Sequence, residues 1–209
     1  MTTIFLARHG ESETNHRSLI TGQLDPGLSA RGHEQSEALA QSLAGETLAA
    51  IYTSALRRTV QTAQPTATAQ QLPIVSLPAL NEIHLGVLQG RYRDERDPQA
   101  QALWAQWQVD PWNYRVPQGE TFGELAHRSV QALDELVQRH AGQTILIVGH
   151  RATNRALMGT LRAWPRERWD EIRLRNKFFY CIRPGAQPLI TTIALSGSKA
   201  GVRQDGFIM

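Results

Sequence analysis

The chain has 209 residues, 41% of them hydrophobic and 20% charged, with 22 Lys and Arg against 19 Asp and Glu. That composition fits a globular protein and excludes a disordered chain, and no apolar stretch nears the about 18 residues of a membrane span. The positive excess is small and its arginines are scattered, which favours a pocket for a small anion over a nucleic-acid-binding face.

The N-terminal segment Met1 to His9 has no basic lead, and its apolar run is too short for a signal peptide. Cys181 is the one cysteine, which leaves no internal disulfide and suits a reducing compartment. Both features give the expectation of a cytoplasmic protein.

Short apolar runs alternate with helical patterns, as in an α/β fold. Ile4 to Ala7 reads as a buried strand ending at Arg8-His9-Gly10. Ser29 is a candidate N-cap, with Gly32, Ser36, Leu39 and Leu43 on one helical face and Gly45 as the stop. A second strand, Ile51 to Thr53, leads to a helix with Val60, Ala63 and Ala67 on one side, and Pro65 is expected to kink or divide it. Residues 91–118 hold Trp104, Trp107, Trp112 and three prolines, the composition of a cap whose tryptophans serve packing first.

Thr121 and Glu124 form a capping-box pattern ahead of Phe122, Leu125, Ser129, Leu133 and Leu136. Thr144 to Val148 is the clearest buried strand and ends in Gly149-His150-Arg151. Phe178 to Ile182 and Leu189 to Leu195 read as a hairpin around Pro184-Gly185, with an edge suited to a homodimer. The tail containing Gly197, Gly201, Arg203 and Gly206 either folds over the pocket or is disordered, and the sequence does not choose between them.

Strand ends are where an α/β sheet presents its ligands, and His9 and His150 both follow such ends. Arg8 precedes His9, Asn15 follows shortly after, and Arg58 opens a helix behind another strand end. Arginine matches phosphoryl oxygens with planar, permanently charged donors, and Gly10 is expected to let the backbone approach the anion. A neutral imidazole whose other nitrogen is held by an acceptor attacks phosphorus, while a protonated His150 would stabilise the equatorial oxygens. Glu82 lies between apolar neighbours in Leu80-Asn81-Glu82-Ile83, a setting that raises a carboxyl pKa and suits proton donation.

Arg8-His9-Gly10-Glu11-Ser12 resembles the signature of the histidine phosphatase superfamily, also called phosphoglycerate mutase-like. Asn15, Gly22, Asp25, Leu28, Ser29 and Gly32 follow at the family's spacing. Ser54-Ala55-Leu56-Arg57-Arg58-Thr59 with Gln61-Thr62-Ala63, the Glu82 segment, Pro117 with Gly119-Glu120, and Val148-Gly149-His150 continue the likeness in order. Three positions depart from it. Arg151 stands where the family has glycine, Thr59 replaces alanine, and Pro26 is shifted within Asp25-Pro26-Gly27-Leu28.

The resemblance implies that His9 is the phosphorylated nucleophile and Glu82 the proton donor. Arg8, Arg58 and His150 would form the phosphate pocket, with Asn15, Thr21, Gly22 and Arg151 beside the substrate, and with no metal or organic cofactor. The expected architecture is a three-layer α/β/α sandwich over residues 1–209, with a central, mostly parallel sheet and a small, largely helical cap at about 86–118. The expected partner is a small phosphorylated metabolite, with neither nucleic acid nor membrane.

Thr21-Gly22 and Leu88-Gln89-Gly90 lean towards mutases. Glu82 and Glu120 lie only 38 positions apart, however, too close for the long insertion of cofactor-dependent mutases. Phosphate-monoester hydrolysis is therefore the expected activity. A mutase-type phosphotransfer and a non-catalytic phosphoester binder are the alternatives, and retention of both His9 and Glu82 argues against the binder. Arg91, Arg93 and Arg96 either meet a second anionic group or form a solvated face with Asp94, Glu95 and Asp97, the latter being favoured.

Overall fold

The computed structural model describes residues 1–16, 19–195 and 201–208, with only the backbone at Asn15 and His16. Seven strands form one sheet in the order β3-β2-β4-β1-β5-β6-β7. At its centre β1 (Thr3–Arg8) and β4 (Thr144–Gly149) run parallel, with Thr3 opposite Thr144 and Arg8 opposite Gly149. On one side β2 (Ala50–Thr53) and β3 (Ile74–Ser76) extend the parallel part. On the other, β5 (Phe178–Arg183) pairs antiparallel with β1 and forms a hairpin with β6 (Leu189–Ala194).

Side-chain alternation along β1 divides the core in two. Ile4 and Leu6 pack with Leu133, Leu136, Leu157 and Met158, on α5 (Phe122–Arg139) and α6 (Arg151–Leu161). Phe5 and Ala7 face the opposite way, onto Leu39 of α2 (Ala30–Ser42) and Ala63 and Ala67 of α3 (Arg57–Gln70). Helices thus cover both faces of the sheet, which the apolar runs of its central strands require. Ser29 caps α2 by accepting from the Gly32 amide, and Thr121 and Glu124 close a reciprocal capping box on α5.

A third cluster joins Ile83, Leu85, Leu88, Ala100, Val116 and Phe122 beside the sheet's carboxyl edge. Here α4 (Pro98–Val109) carries Trp104 and Trp107, whose rings stack at 4.9 Å. A single short turn, α1 (Glu13–His16), follows the loop at the end of β1.

Two expectations need correction, and the tail, left open by the sequence, is placed in part. Pro65 does not divide α3, which runs continuously from Arg57 to Gln70. The inward face of α3 is Arg58, Thr59, Thr62, Ala63, Thr66 and Ala67, while Val60 is only half-buried. The described tail does not fold over the pocket: Arg203–Asp205 forms β7 against β6, and Phe207 packs on the core. Gly197 lies outside the described residues. With β7 paired to Thr192 and Ile193, the hairpin no longer forms the sheet's outer edge there.

Candidate active site

The parallel register of β1 and β4 brings His9 and His150 together, because each is the first residue beyond its strand. The His9 amide donates to the Gly149 carbonyl at 3.0 Å, and the imidazole centroids lie 5.1 Å apart. Nδ1 of His9 meets the Gly10 carbonyl at 2.6 Å, which assigns the proton to Nδ1 and leaves Nε2 with its lone pair. Burial, then the charges of Arg8 and Arg58, holds the His9 pKa well below the usual histidine value, with the Gly10 bond opposing. His9 is therefore neutral at pH 7, as a nucleophile must be.

His150 is held differently. Its Nε2 lies 2.7 Å from Ser54 Oγ, an oxygen that accepts from the Leu56 amide at 3.1 Å. Its Nδ1 is buried and has no hydrogen-bond partner among the described residues. Burial, then Arg58, His9 and Arg8, pushes the His150 pKa well below the ordinary value. Without a bound anion the ring is therefore neutral. If Ser54 donates to Nε2, that ring still offers an Nδ1–H donor.

Arg8, the last residue of β1, has a buried Nε without a partner and one long bond, 3.4 Å, to the Leu174 carbonyl. Burial lowers its pKa to about 10, against the opposing charge of Glu82, so it remains a cation at neutral pH. Arg58, 1% exposed, donates from its two terminal nitrogens to the Leu24 and Gly22 carbonyls at 2.6 and 2.9 Å. Those bonds fix the guanidinium and occupy part of the fork expected to grip phosphate, while Nε stays unpartnered among the described residues.

Gly22 makes this possible with φ of +51°, a left-handed conformation that favours glycine. Gly10 also has a packing role. Its amide donates to Thr62 Oγ1 at 3.0 Å, and a Cβ there would come within 2.6 Å of the Gly32 carbonyl. The glycine thus serves the packing of the loop on α2.

Glu82 is half-buried in the loop before α4. Its Oε1 accepts from the Ile83 amide at 2.9 Å and from Ala152, in the first turn of α6, at 3.2 Å. Arg128 braces the same loop by donating to the Glu82 and Ala79 carbonyls while paired with Glu120. These bonds hold the Glu82 side chain in place at the cavity wall.

Arg8, His9, Thr21, Gly22, Arg58, Glu82 and Arg151 all line one cavity of about 440 Å³. His150 lies behind His9, fully buried. Asn15 is the expected site residue whose side chain lies outside the described residues. Among the described residues, no group of three or more His, Cys, Asp or Glu is arranged to hold a metal ion.

A family model for the histidine phosphatase superfamily (branch 1) matches residues 4–188. The chain belongs to this superfamily. It is 36% identical over 177 residues to "Probable phosphoglycerate mutase GpmB" of Serratia proteamaculans, covering 84% of this chain and 82% of the relative. Among solved structures it is similar to YhfR of Bacillus stearothermophilus, with a TM-score of 0.81 and 29% identity over 90% of this chain and 94% of the other. The alpha-ribazole phosphatase of Shigella flexneri gives 0.81 and 26%, with 89% and 93% covered. A mycobacterial glucosyl-3-phosphoglycerate phosphatase complexed with VO3 gives 0.78 and 27%, with 87% and 90% covered.

In this histidine phosphatase superfamily member the cavity also recruits residues that no local pattern revealed. Arg155, Asp170 and Arg173 line it, although the last two sit in the segment before β5, far along the chain from the motifs. Trp104 and Trp107 both pack the cap and face the cavity. The run after Glu82 splits: Arg91 pairs with Asp97 and Arg96 with Asp94, as a solvated face would, whereas Arg93 joins the cavity wall. The sequence offered Arg93 as a candidate contact for a second anionic group, and the four-residue spacing of Arg151 and Arg155 on α6 is a further signal that could have found Arg155.

Proposed function

We propose that the protein is a phosphatase that hydrolyses small phosphate monoesters through a phosphohistidine on His9. The observation that carries this reading is the His9 Nδ1 to Gly10 carbonyl contact at 2.6 Å in a neutral, buried ring, which leaves Nε2 as the nucleophile.

Nε2 attacks phosphorus in line, the ester P–O bond breaks, and the leaving oxygen takes a proton from the Glu82 carboxyl group. Water then attacks the phosphohistidine while the Glu82 carboxylate removes its proton. The P–N bond breaks and releases inorganic phosphate. Arg8 Nε and Arg58 Nε are buried donors without partners among the described residues, and His150 Nδ1 joins them when Ser54 donates to Nε2; each is then suited to a phosphoryl oxygen. Thr21, Gly22 and Arg151 line the substrate space, with Asn15 assisting. Residues 1–209 act as one domain with a cap at about 86–118, working in the cytoplasm without metal or organic cofactor.

Quenching a reaction with p-nitrophenyl phosphate should trap an acid-labile phosphoenzyme, and His9→Ala should abolish both that species and turnover. A chelator should leave the rate unchanged. Turnover that persists in His9→Ala overturns the reading.

The 36% identity to relatives named as mutases supports one competing reading, phosphotransfer between the hydroxyls of phosphoglycerate. Incubation with 3-phosphoglycerate and a trace of 2,3-bisphosphoglycerate separates the two. Hydrolysis predicts phosphate release, whereas rapid isomer interconversion without release establishes the mutase.

A further inference from the structure

The cavity carries more positive charge than one phosphoryl group matches. Arg8 and Arg58 serve the end beside His9, and Arg155 is paired with Asp170 at 2.8 Å. Arg93, Arg151 and Arg173 also line the wall, and none of them forms a salt bridge among the described residues. They come from three separate segments: the loop after Glu82, the first turn of α6 and the approach to β5.

Their neighbours show that neutralisation was available. Arg91 and Arg96 flank Arg93 in the sequence, and each has its own aspartate. Arg173 donates to the Asp170 and Ile172 carbonyls, which fixes its guanidinium without cancelling its charge. The pKa of Arg151 is lowered first by the protein packed around it and then by Arg173, with Arg93 adding and Glu82 opposing. Like charges held at one wall repel each other, and an anion placed between them reverses the sign of that interaction.

Charge and size agree. A phosphoryl dianion balances Arg8 and Arg58, Asp170 balances Arg155, and Glu82 carries the proton it donates, which leaves the charges of Arg93, Arg151 and Arg173 unmatched. The volume of about 440 Å³ lies within the roughly 300–1,000 Å³ usual for small-molecule sites, so there is room beyond a phosphoryl group. Trp107, Pro111 and Phe122 provide apolar wall in the same cavity.

We propose that Arg93, Arg151 and Arg173 form a second anion subsite, and that the preferred substrates are phosphomonoesters whose leaving group carries a carboxylate or a second phosphate. This rests on the phosphatase reading above and specifies its substrate class. Arg151, which departs from the family's glycine, is then a specificity residue.

The test compares kcat/KM within matched pairs. 4-Carboxyphenyl phosphate against 4-carbamoylphenyl phosphate isolates a carboxylate in a ring of the same shape. A hexose 1,6-bisphosphate against the hexose 6-phosphate isolates a second phosphate. We expect at least a tenfold preference for the doubly anionic member in one pair, and the pair that shows it identifies the anion. In Arg151→Gln/Arg173→Gln that ratio should fall to within about twofold of unity, and Arg93→Gln alone should lower it.

Equal turnover within both pairs, or a ratio that survives the double variant, overturns the subsite. The phosphoenzyme trap with p-nitrophenyl phosphate judges the hydrolase reading separately. If His9 is phosphorylated and both ratios are unity, only the subsite fails. If no phosphohistidine forms and His9→Ala remains active, the phosphatase reading fails with it.

Discussion

At the scale of single residues, the site depends on two histidines kept neutral by their surroundings. Burial and arginine charge depress the pKa of both His9 and His150 in the folded chain. The unfolded chain has ordinary histidines, with pKa about 6.5. Below that value the unfolded state binds protons that the folded state does not, so stability is lost as pH falls from about 6.5 through the folded values. Each histidine contributes a slope of up to about 1.4 kcal/mol per pH unit in that window. Thermal melts between pH 7.5 and 5 should show the midpoint falling, and His9→Gln/His150→Gln should flatten the dependence. A wild-type midpoint unchanged across that range would contradict the neutral assignment. The sequence identified these histidines because each directly follows a strand that reads clearly on its own. It did not reveal that Ser54 Oγ sits 2.7 Å from His150 Nε2, because that pair is separated by 96 positions and depends on the order of β2 and β4.

At the scale of elements, the loop that carries His9 and the start of α2 are built as one unit. Ser29 donates its amide to the Glu11 carbonyl at 2.9 Å and its hydroxyl to Glu11 Oε1 at 3.0 Å. Gly32 sits so close to Glu11 that an added Cβ would collide with backbone rather than with a movable side chain. Gly32→Ala should therefore shift the loop carrying His9 and cost about 1–3 kcal/mol, the usual range for overpacking. Its kcat should fall as well, because the displaced group is the imidazole we propose as the nucleophile. Gly45→Ala is the control, since a Cβ there meets nothing within 4 Å, and its melting temperature should match wild type. Equal melting temperatures and kcat for the two variants would separate the helix start from the active loop. The cap of α2 was legible because Ser29 and the 3.6-residue spacing of Leu39 and Leu43 are local signals. Strand β3 was not, being three residues long with two of them exposed. Of the two outcomes expected at Pro65, a kink or a division, the division does not occur: the helix is buried against the sheet through Ala63 and Ala67, and that packing offsets the lost backbone bond.

At the scale of the whole molecule, charge is concentrated where the chemistry is. The cavity wall holds six arginines and two carboxylates, a surplus of four, while the entire chain has a formal net charge of only +3. The rest of the chain therefore carries no net positive formal charge, which favours the cavity as the place an anion approaches. Composition alone suggested a scattered, mildly basic chain. The concentration appears only when Arg8, Arg58, Arg93, Arg151, Arg155 and Arg173 are brought to one edge of the sheet and its cap. Clefts lined with one sign of charge raise encounter rates with oppositely charged substrates by about 10- to 1,000-fold at low ionic strength. Bound substrate is shielded far less, because the Debye length, about 10 Å at 0.1 M salt, applies to charges that water can reach. Raising sodium chloride from 10 to 500 mM should thus lower kcat/KM for an anionic ester about tenfold and leave kcat within about twofold. The two parameters separate because the first contains the encounter and the second begins after it. A fall in kcat equal to that in kcat/KM would place the salt effect on the chemical step. The cavity's excess charge would then act on the bound ester rather than on its capture.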